Sequence, residues 1–387
     1  MIQTIRKAWA IPELRKKLVF TALILLIFRI GNAIPVPYVD TKLLEDYINA
    51  MSTTVLGLYN VMSGGAFANA TVFALGVQPY INSSIIIQLL TIAIPALQRM
   101  AQDGGEEGKK KIQSITRYAT VAIAILQGWG YYVLMKTNGI LTTSGVWAAL
   151  VIIASFIAGS SFVMWMGEQI TEFGIGNGIS LIIFCGIVVG IPRGIIQSVA
   201  LIEAGDMSLF MAVVIVAFMA AVLVAIVFVE RAQRRIPISY AKRQIGRKMY
   251  GGQNSHLPLR LNTAGVIPPI FASSLLLFPA TIGQFSTNHY VKQAAEWFSP
   301  HGVAYNVLYV ALMFFFCYFY TAIIFDPKDM AENLKKNGGF IPGIRPGDRT
   351  QEYIDTVLSR LTLSGGIYIS IVCLLPMLLI SNFNVPF

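Results

Sequence analysis

The sequence has 387 residues, of which 55% are apolar and 12% are charged, with a formal net charge of +10. That charged fraction is about half of what soluble domains carry, so a typical soluble enzyme is excluded. Several uninterrupted apolar runs reach about 20 residues, the length of helix that crosses a bilayer. The chain is therefore predicted to be a multi-span membrane protein.

Nine apolar runs of spanning length follow one another along the chain and predict an all-α integral membrane protein. They lie near residues 18–36, 77–97, 116–135, 147–166, 179–200, 208–229, 263–283, 303–324 and 361–381. One cation, Arg29, falls inside the first run. Its side chain either makes a polar contact within a helix bundle or snorkels towards the membrane surface.

The stretch between the first two runs neither spans nor leaves the membrane. No charged residue occurs between Asp46 and Arg99. The first half of this stretch is interrupted by four glycines: Gly57, Gly64, Gly65 and Gly76. Irregular backbone inside a membrane is tolerated only where protein or water satisfies its polar groups. We therefore predict a re-entrant element, which would be either a pore gate or a hairpin packed on the outer face.

The cations lie almost entirely on one side of the predicted membrane. With a cytoplasmic N-terminus, the inside segments carry 24 Lys and Arg residues and the outside segments carry 4. Cytoplasmic loops of membrane proteins are enriched in these residues, so this orientation is predicted.

The order of the spans suggests two related halves, residues 1–203 and 204–387. Five spans precede the connection near Ala204 and four follow it. An odd-numbered unit that is repeated in a membrane must recur in inverted orientation. We predict two inverted, pseudo-symmetric halves, the second being one helix shorter than the first.

Two long basic loops, residues 230–260 and 326–360, face the cytoplasm in this topology. The first alternates cations with apolar residues as a strand does, which predicts a projecting hairpin. The second contains a turn rich in Gly and Pro that holds Arg345 at its tip. Rigid cationic tips suit an acidic protein or RNA, and the alternative is attraction to anionic lipid head groups.

No catalytic or metal-binding pattern is recognisable. The three histidines are scattered in loops, and the three cysteines lack the paired spacing of a metal site. Apart from Arg29, and from Arg117 and Arg193, which the topology assigns to the inside and outside segments, the predicted spans offer only neutral polar groups, which argues against an ion-coupled transporter. We predict no enzymatic activity, no cofactor and no metal.

Four segments together resemble the SecY family, the channel subunits of the bacterial protein-conducting translocon. They cover nearly the whole chain in the family's order: TVFALGVQPYINSSIIIQLL (residues 71–90), GEQITEFGIGNGIS (167–180), YAKRQIGRKMYGGQNSHLPLRLNTAGVIPPIFASS (240–274) and FIPGIRPGDRT (340–350). Family members have ten spans and a cytoplasmic C-terminus, and this sequence resembles a member that ends before the tenth.

The resemblance implies a multi-span helical bundle of two halves around a central pore with a re-entrant plug. The waist of the pore is an apolar ring, matched here by Ile81, Ile85, Ile179, Ile183 and Ile270. The family's sixth ring residue belongs to the tenth helix. The plug corresponds to about residues 52–76, with a short helix over 57–66, and its matched residues are Gly57, Gly64, Gly65 and Ala66.

The second and seventh spans would form a lateral gate that admits signal peptides to lipid. The polar residues matched to this gate are Asn82, Ser83, Gln88, Ser273 and Ser274. Arg243, Arg247 and Arg345 would contact the motor ATPase or the ribosome.

The implied partners are the small subunits SecE and SecG, the motor ATPase SecA, the ribosome with its RNA, signal peptides, nascent chains and anionic lipids. The implied location is the bacterial cell membrane, with a cytoplasmic N-terminus. The chain is thus expected to pass unfolded polypeptides across the membrane and to release apolar segments sideways. Two rivals remain at this stage, a small-molecule secondary transporter and a non-conducting docking receptor for the ribosome or motor.

Overall fold

The computed structural model describes residues 9–50, 59–60, 63–102, 104–143, 145–205, 208–240, 243–245, 248–250, 255–273, 275–276 and 303–383. The helices with defined bounds are α1 (Pro12–Gly31), α2 (Thr41–Ala50), α3 (Gln78–Ala93), α4 (Pro95–Gln102), α5 (Gly105–Thr137), α6 (Val146–Phe173), α7 (Gly178–Glu203), α8 (Leu209–Arg231), α9 (Val303–Ile324), α10 (Pro327–Lys336) and α11 (Asp348–Phe383). The strands are β1 (Gln233–Tyr240), β2 (Arg243–Ile245), β3 (Lys248–Tyr250), β4 (Ser255–Arg260) and β5 (Gly339–Phe340).

The predicted helical membrane fold is confirmed. Within the described residues six helices are long and apolar enough to cross a membrane, and one bent pair could supply a seventh. The six are Gly105–Thr137, Val146–Phe173, Gly178–Ala200, Leu209–Arg231, Tyr305–Lys336 and Asp348–Leu375. The chain is a multi-pass membrane protein.

Several predicted spans differ in their bounds from the helices that form. The first helix runs over Pro12–Gly31 rather than 18–36, with its proline in the first turn, where the missing N–H costs nothing. The predicted span 77–97 is broken, because α3 and α4 meet at an angle of 104°. Ile94 has extended backbone (φ −108°, ψ 111°), as the residue before a proline prefers. Of the predicted span 263–283, residues 267–273 are helical and most of the remainder lies outside the described residues.

The chain divides into two compact units, one holding the described residues up to Ile196 and the other those from Gln197 onward. The predicted halves 1–203 and 204–387, and their inverted symmetry, remain predictions.

The first unit has its core where α2 and the turns after α1 pack on the facing ends of α5 and α6. Leu44, Met135, Ile152 and Phe156 lie at the centre of this core, and none of their surface is exposed. Two backbone bridges, from Pro35 to Thr71 and from Val39 to Leu141, tie the connecting segments to this core.

The second unit carries a small sheet on the predicted cytoplasmic loops, with strand order β4-β1-β5. Strands β1 and β4 pair antiparallel from Gln233 with Arg260 to Ile238 with Ser255, and β2 and β3 form a further antiparallel pair. The strand-like alternation in loop 230–260 therefore predicted strands correctly. The sheet packs on α10 and α11 through an apolar cluster whose buried members are Ile236, Leu259, Ile341, Ile354 and Leu358.

Candidate pore and plug

The predicted plug segment folds into the first unit as a series of turns. Of its predicted short helix, Tyr59 and Asn60 are helical, residues 63–66 form turns, and Gly57 lies outside the described residues. Gly64 and Gly65 have φ angles of +67° and +85°, which L-residues with a Cβ rarely adopt. The glycines noted in the sequence are therefore needed for the turn itself.

The second part of this segment, residues 66–75, is built into the core. The Val36 N–H donates to the Ala70 carbonyl at 2.9 Å, and the Val72 N–H donates to the Ile34 carbonyl at 3.0 Å. The Tyr131 hydroxyl donates to the Phe67 carbonyl, and the rings of these two residues stack with centroids 4.3 Å apart. Backbone pairing and buried aromatic packing together fix this part of the segment.

Two helix glycines let the segment approach the helices closely. A Cβ placed on Gly159 of α6 would lie 1.8 Å from the Val72 carbonyl oxygen. A Cβ on Gly31, the last residue of α1, would lie 1.9 Å from Cε2 of Phe73. Neither position has room for a side chain. The segment can therefore pack this closely against α1 and α6 only because both residues are glycine.

The first part of the segment contacts α1 through side chains. Arg29 Nη1 donates to the Gly64 carbonyl at 3.4 Å. Asn32 Nδ2 donates to the Ser63 carbonyl at 3.3 Å. Of the two interpretations of Arg29, the structure favours the polar contact with protein, although the side chain remains exposed.

A small cavity lies between the segment, α1, α3 and α7. Two predicted ring residues, Ile81 of α3 and Ile183 of α7, line the same cavity. Its other lining residues are Phe28, Tyr59, Ser63, Ala74, Leu75, Gly76, Val77, Gln78 and Ile182. The walls are predominantly apolar, and residues of the predicted plug contribute directly to them.

The remaining predicted ring residues take different positions. Ile85 is buried one turn beyond Ile81 on α3. Ile179 packs against α6, where a Cβ on Gly167 would lie 3.0 Å from its Cγ1, and it does not line the cavity. Ile270 is half-buried in the second unit, within the helical residues 267–273.

Sequence reasoning missed Ile182, which is 1% exposed and lines the cavity. A signal was available, because Ile182 lies three residues after Ile179, a spacing that a helix brings to one face. The family match includes Ile179 and Ile183 but not Ile182.

Ser83, one of the residues matched to the gate, contacts α5. Ser83 is 0% exposed, and its Oγ lies 2.6 Å from Thr120 Oγ1 and 3.3 Å from the Thr116 carbonyl, both on α5. A hydroxyl buried in lipid-facing helices needs such a partner, so Ser83 joins α3 to α5. Its role in the gate remains a prediction.

The other predicted gate residues differ in exposure. Gln88 is exposed, and Oδ1 of Asn82 is buried without a hydrogen-bond partner. Ser273 donates from its Oγ to the Ile270 carbonyl at 3.0 Å. Ser274 lies outside the described residues.

An ion pair that the sequence did not reveal links α5 to α6. Arg117 Nη2 lies 2.8 Å from Glu168 Oε2, and Arg117 Nε donates to Glu168 Oε1 at 3.0 Å. Gln113 Nε2 donates to the same Oε1 at 3.0 Å. The carboxylate is 10% exposed and has charged and neutral donors, so the pair is a fixed structural tie.

Arg345 lies exposed at the tip of its turn, as predicted. Gly343 and Gly347 flank it with φ angles of +84° and +107°. The Arg345 carbonyl accepts a hydrogen bond from Thr350 Oγ1 at 3.0 Å, which closes the turn. Arg243 lies on β2 opposite Tyr250, and Arg247 is outside the described residues.

The described residues contain no group of three or more His, Cys, Asp or Glu side chains that could hold a metal ion. What they contain is a bundle of membrane-length helices in which a glycine-rich segment folds back against an apolar cavity. These features define a helical multi-pass membrane protein with a re-entrant segment packed against its helices.

Sequence comparisons identify the family of this chain. The SecY family model matches residues 71–387. The protein translocase subunit SecY of Aquifex aeolicus is 42% identical over 393 residues, covering 100% of this chain and 92% of that relative. SecY of Escherichia coli K12 is 44% identical over 383 residues, covering 97% of this chain and 86% of that relative. The chain belongs to the SecY family, whose members are translocase channel subunits rather than catalytic enzymes.

Solved structures share the fold at lower identity. A structure described as that of a protein-conducting channel is 19% identical, with a TM-score of 0.65, and the match covers 92% of this chain and 84% of that one. A SecY structure with a plug domain described as stabilising the closed channel is 18% identical, with a TM-score of 0.59 and the same coverages. The channel of a canine ribosome–channel complex from the endoplasmic reticulum is 18% identical, with a TM-score of 0.61, covering 91% of this chain and 84% of that one.

Proposed function

We propose that this chain forms the path by which unfolded secretory polypeptides cross the cell membrane, and that it releases apolar segments sideways into lipid. The membership of the SecY family supports this function. One structural observation connects this function with particular residues. Ile81 and Ile183 line the same cavity, and Tyr59 and Ser63 of the plug segment line it too.

An apolar constriction suits this task for a physical reason. Ions lose hydration when they enter a narrow apolar passage, so such a passage can exclude them by dewetting. A polypeptide of any sequence can still displace branched aliphatic side chains, since these offer no specific bonds to satisfy. Ile81 and Ile183, with Ile85, Ile179 and Ile270 from the family match, would form this constriction, and Ile182 joins them on the basis of the cavity.

Sideways release would use the faces of α3 and of the helical residues 267–273. The neutral polar residues matched to the gate, Asn82, Ser83, Gln88, Ser273 and Ser274, would seal it less tightly than aliphatic residues alone. Signal peptides and the apolar segments of nascent chains would leave by this route.

The proposed partners are inferred from the family and from the cations of the cytoplasmic loops. SecE and SecG would complete the channel within the membrane, and SecA or the ribosome would deliver the polypeptide. The exposed Arg345, held by a turn on the sheet of the second unit, offers a rigid cation to an acidic protein surface or to ribosomal RNA. A related fold occurs in a canine ribosome–channel complex. Anionic lipid head groups would attract the remaining loop cations.

The location would be the inner membrane of a bacterium, with the N-terminus in the cytoplasm. The distribution of 24 cations on one side and 4 on the other supports this orientation.

Transport by vesicles tests the proposal directly. Vesicles that contain this chain with its small subunits should take up a secretory precursor into a protease-protected space when the motor ATPase and ATP are supplied. Vesicles without the chain serve as the control. A precursor that binds but stays accessible to protease would indicate a docking receptor, and saturable uptake of a small solute without polypeptide transport would indicate a transporter. Either result would overturn the proposal.

A further inference from the structure

We infer that Asn262, bound to Glu230, positions the start of the seventh predicted span (residues 263–283) on the cytoplasmic sheet, and that this placement sets how readily an apolar segment is released sideways. The inference rests on the proposed function. It gives a positioning role to two polar residues that belong to none of the matched ring, plug and gate sets. Both residues lie in the second unit, as do the contacts that hold them.

The chain enters this span through a short joint, residues 261–264, between a strand and a helix. Strand β4 ends at Arg260, the joint forms bends, residues 265–266 form a turn, and helical residues begin at 267. Antiparallel pairing with β1 fixes β4 along its length. Leu259, near the end of β4, is 1% exposed in the apolar cluster shared with α10 and α11. The sheet is therefore a firm base for the joint.

A hydrogen bond to a carboxylate ties the joint to the end of α8. Asn262 Nδ2 donates to Glu230 Oε1 at 2.8 Å, and Asn262 is 6% exposed. Hydrogen bonds to a carboxylate are short and are stronger than those between neutral groups. Tyr368 of α11 interacts with the same carboxylate. The Asn262 side chain is thus oriented by a group that belongs to another helix.

The backbone of the joint is held as well. The Leu261 N–H donates to the Ala232 carbonyl at 3.0 Å. A Cβ on Gly365 of α11 would lie 2.9 Å from the Leu261 carbonyl oxygen, so α11 touches the joint directly. Thr263 Oγ1 lies 3.3 Å from Thr321 Oγ1 of α9. A joint of four residues therefore contacts α9, α11 and the end of α8.

The chain is loosely surrounded just beyond the joint. Gly265 has a φ of +65°, and a Cβ there would have no neighbour within 4 Å. Val266 is 65% exposed. The helical residues then pack on α9, where the Phe271 ring meets the Phe316 ring edge-on with centroids 5.4 Å apart. The course of the chain from sheet to helix is thus set by the joint before Gly265 and by aromatic packing after it.

These contacts make Asn262 a positioning residue, which acts through the span that follows it rather than through contact with the polypeptide. The helical residues 267–273 carry Ile270 and Ser273, which the family match assigns to the ring and the gate. Loss of the bond to Glu230 would free the base of this helix to shift. Because a wall with a loose base gives way at lower cost, segments that are only marginally apolar should then be released more readily.

Reciprocal exchange of the two side chains tests the bond. Asn262→Asp would place two carboxylates where the 2.8 Å bond lies, and like charges this close repel. Adding Glu230→Gln restores one amide and one carboxylate in exchanged positions. Asn138→Asp is the matched control, because Asn138 Nδ2 donates to the Leu134 carbonyl at 2.8 Å in the first unit. That variant loses an amide donor without touching the joint.

Spin labels report the position of the joint independently of transport. Labels at Arg235→Cys on β1 and at Val266→Cys beyond the joint would be placed in the complete complex, in a background without the three native cysteines. Electron paramagnetic resonance gives the distribution of distances between them. We expect Asn262→Asp to broaden this distribution, and the doubly exchanged variant and the Asn138→Asp control to keep the wild-type width.

Two substrates in vesicles measure the functional effect. Release is the share of a marginally apolar segment that enters lipid, and crossing is the protease-protected uptake of a secretory precursor. We expect Asn262→Asp to raise the ratio of release to crossing about tenfold, the lower end of what loss of a hydrogen bond to a charged group produces in an equilibrium. Glu230→Gln alone, which keeps a neutral bond, should raise the ratio by less. The doubly exchanged variant and the Asn138→Asp control should give the wild-type ratio.

The outcomes separate the positioning role from its premise. A raised ratio and broadened distances in Asn262→Asp, both reversed by the second exchange, would support the inference. A wild-type ratio or wild-type distances in Asn262→Asp would overturn it. Equal losses of crossing and release that follow the melting temperature would also overturn it, because they indicate a bond that only stabilises the fold. Failure of the wild-type complex to transport polypeptide would overturn the proposed function, and the distances would still show whether the pair fixes the joint.

Discussion

At the scale of single residues, the plug segment packs closely on its neighbouring helices because glycine has no Cβ. Gly159 allows α6 to lie against the Val72 carbonyl, and a Cβ there would come within 1.8 Å of that oxygen. Contact this close cannot be relieved by turning a side chain, since the oxygen belongs to the backbone. The helix or the segment would have to move.

Gly159→Ala should therefore lower the free energy of unfolding by about 1–3 kcal/mol, the usual cost of overpacking. The melting temperature of the complex in detergent, read from scattering or tryptophan fluorescence, measures the effect. Gly190→Ala is the matched control on α7, because its Cβ would have no neighbour within 4 Å. It should be neutral or stabilising, since Ala favours helix by about 1 kcal/mol over Gly. Equal melting temperatures for the two variants would contradict the account.

The sequence predicted the role of a residue well where that residue type has one main structural role in its context. The glycines at 64 and 65 predicted irregular backbone, and the structure gives both a positive φ. It was less informative where one type has several uses. An isoleucine in a span can line a cavity, as Ile183 does, or pack against a helix, as Ile179 does, and the sequence alone does not separate these cases.

At the scale of helices and strands, periodicity predicted most elements and failed where tertiary contacts decide. Apolar runs located the long helices, and alternation located β1. The bend of 104° between α3 and α4 follows from Pro95, which the hydropathy of the run 77–97 concealed. The tie between Arg117 and Glu168 could not be predicted, because its partners are 51 residues apart and meet only when α5 packs on α6.

That tie makes a prediction about helix packing. A double-mutant cycle with Arg117→Ala and Glu168→Ala should give a coupling of about 1.5–3 kcal/mol, the range for hydrogen bonds to charged groups. Glu168 is 10% exposed but Arg117 is 48% exposed, so water screens the pair in part and the coupling should lie at the lower end of this range. Unfolding in detergent at several denaturant concentrations gives the free energy of unfolding of the wild type, the two single variants and the double variant.

The pair Lys111–Glu107 is the control for this cycle, because its side chains are 60% and 80% exposed. Exposed helix pairs contribute about 0.3–0.5 kcal/mol. If the two cycles gave the same coupling, Glu168 would be no more than a surface partner, and the proposed tie between α5 and α6 would be wrong.

At the scale of the whole molecule, we propose that a polypeptide passes the cavity beside the plug segment. Composition and charge predicted a multi-pass membrane protein, and the motifs predicted the SecY family, which the comparisons confirm. The path itself is a proposal, in which the polypeptide contacts Ile81, Ile182 and Ile183 as it crosses the membrane.

Site-specific photocrosslinking tests that path most directly. A photoreactive amino acid would be placed at position 81, 182 or 183 in the complete complex, and a radiolabelled precursor would be arrested in transit. Position 224 is the control, because Val224 lies on α8 with 70% of its surface exposed on an apolar helix. We predict precursor adducts at positions 81, 182 and 183 that disappear when the motor lacks ATP, and none at position 224. Adducts absent from all three cavity positions while the precursor is in transit would contradict the account.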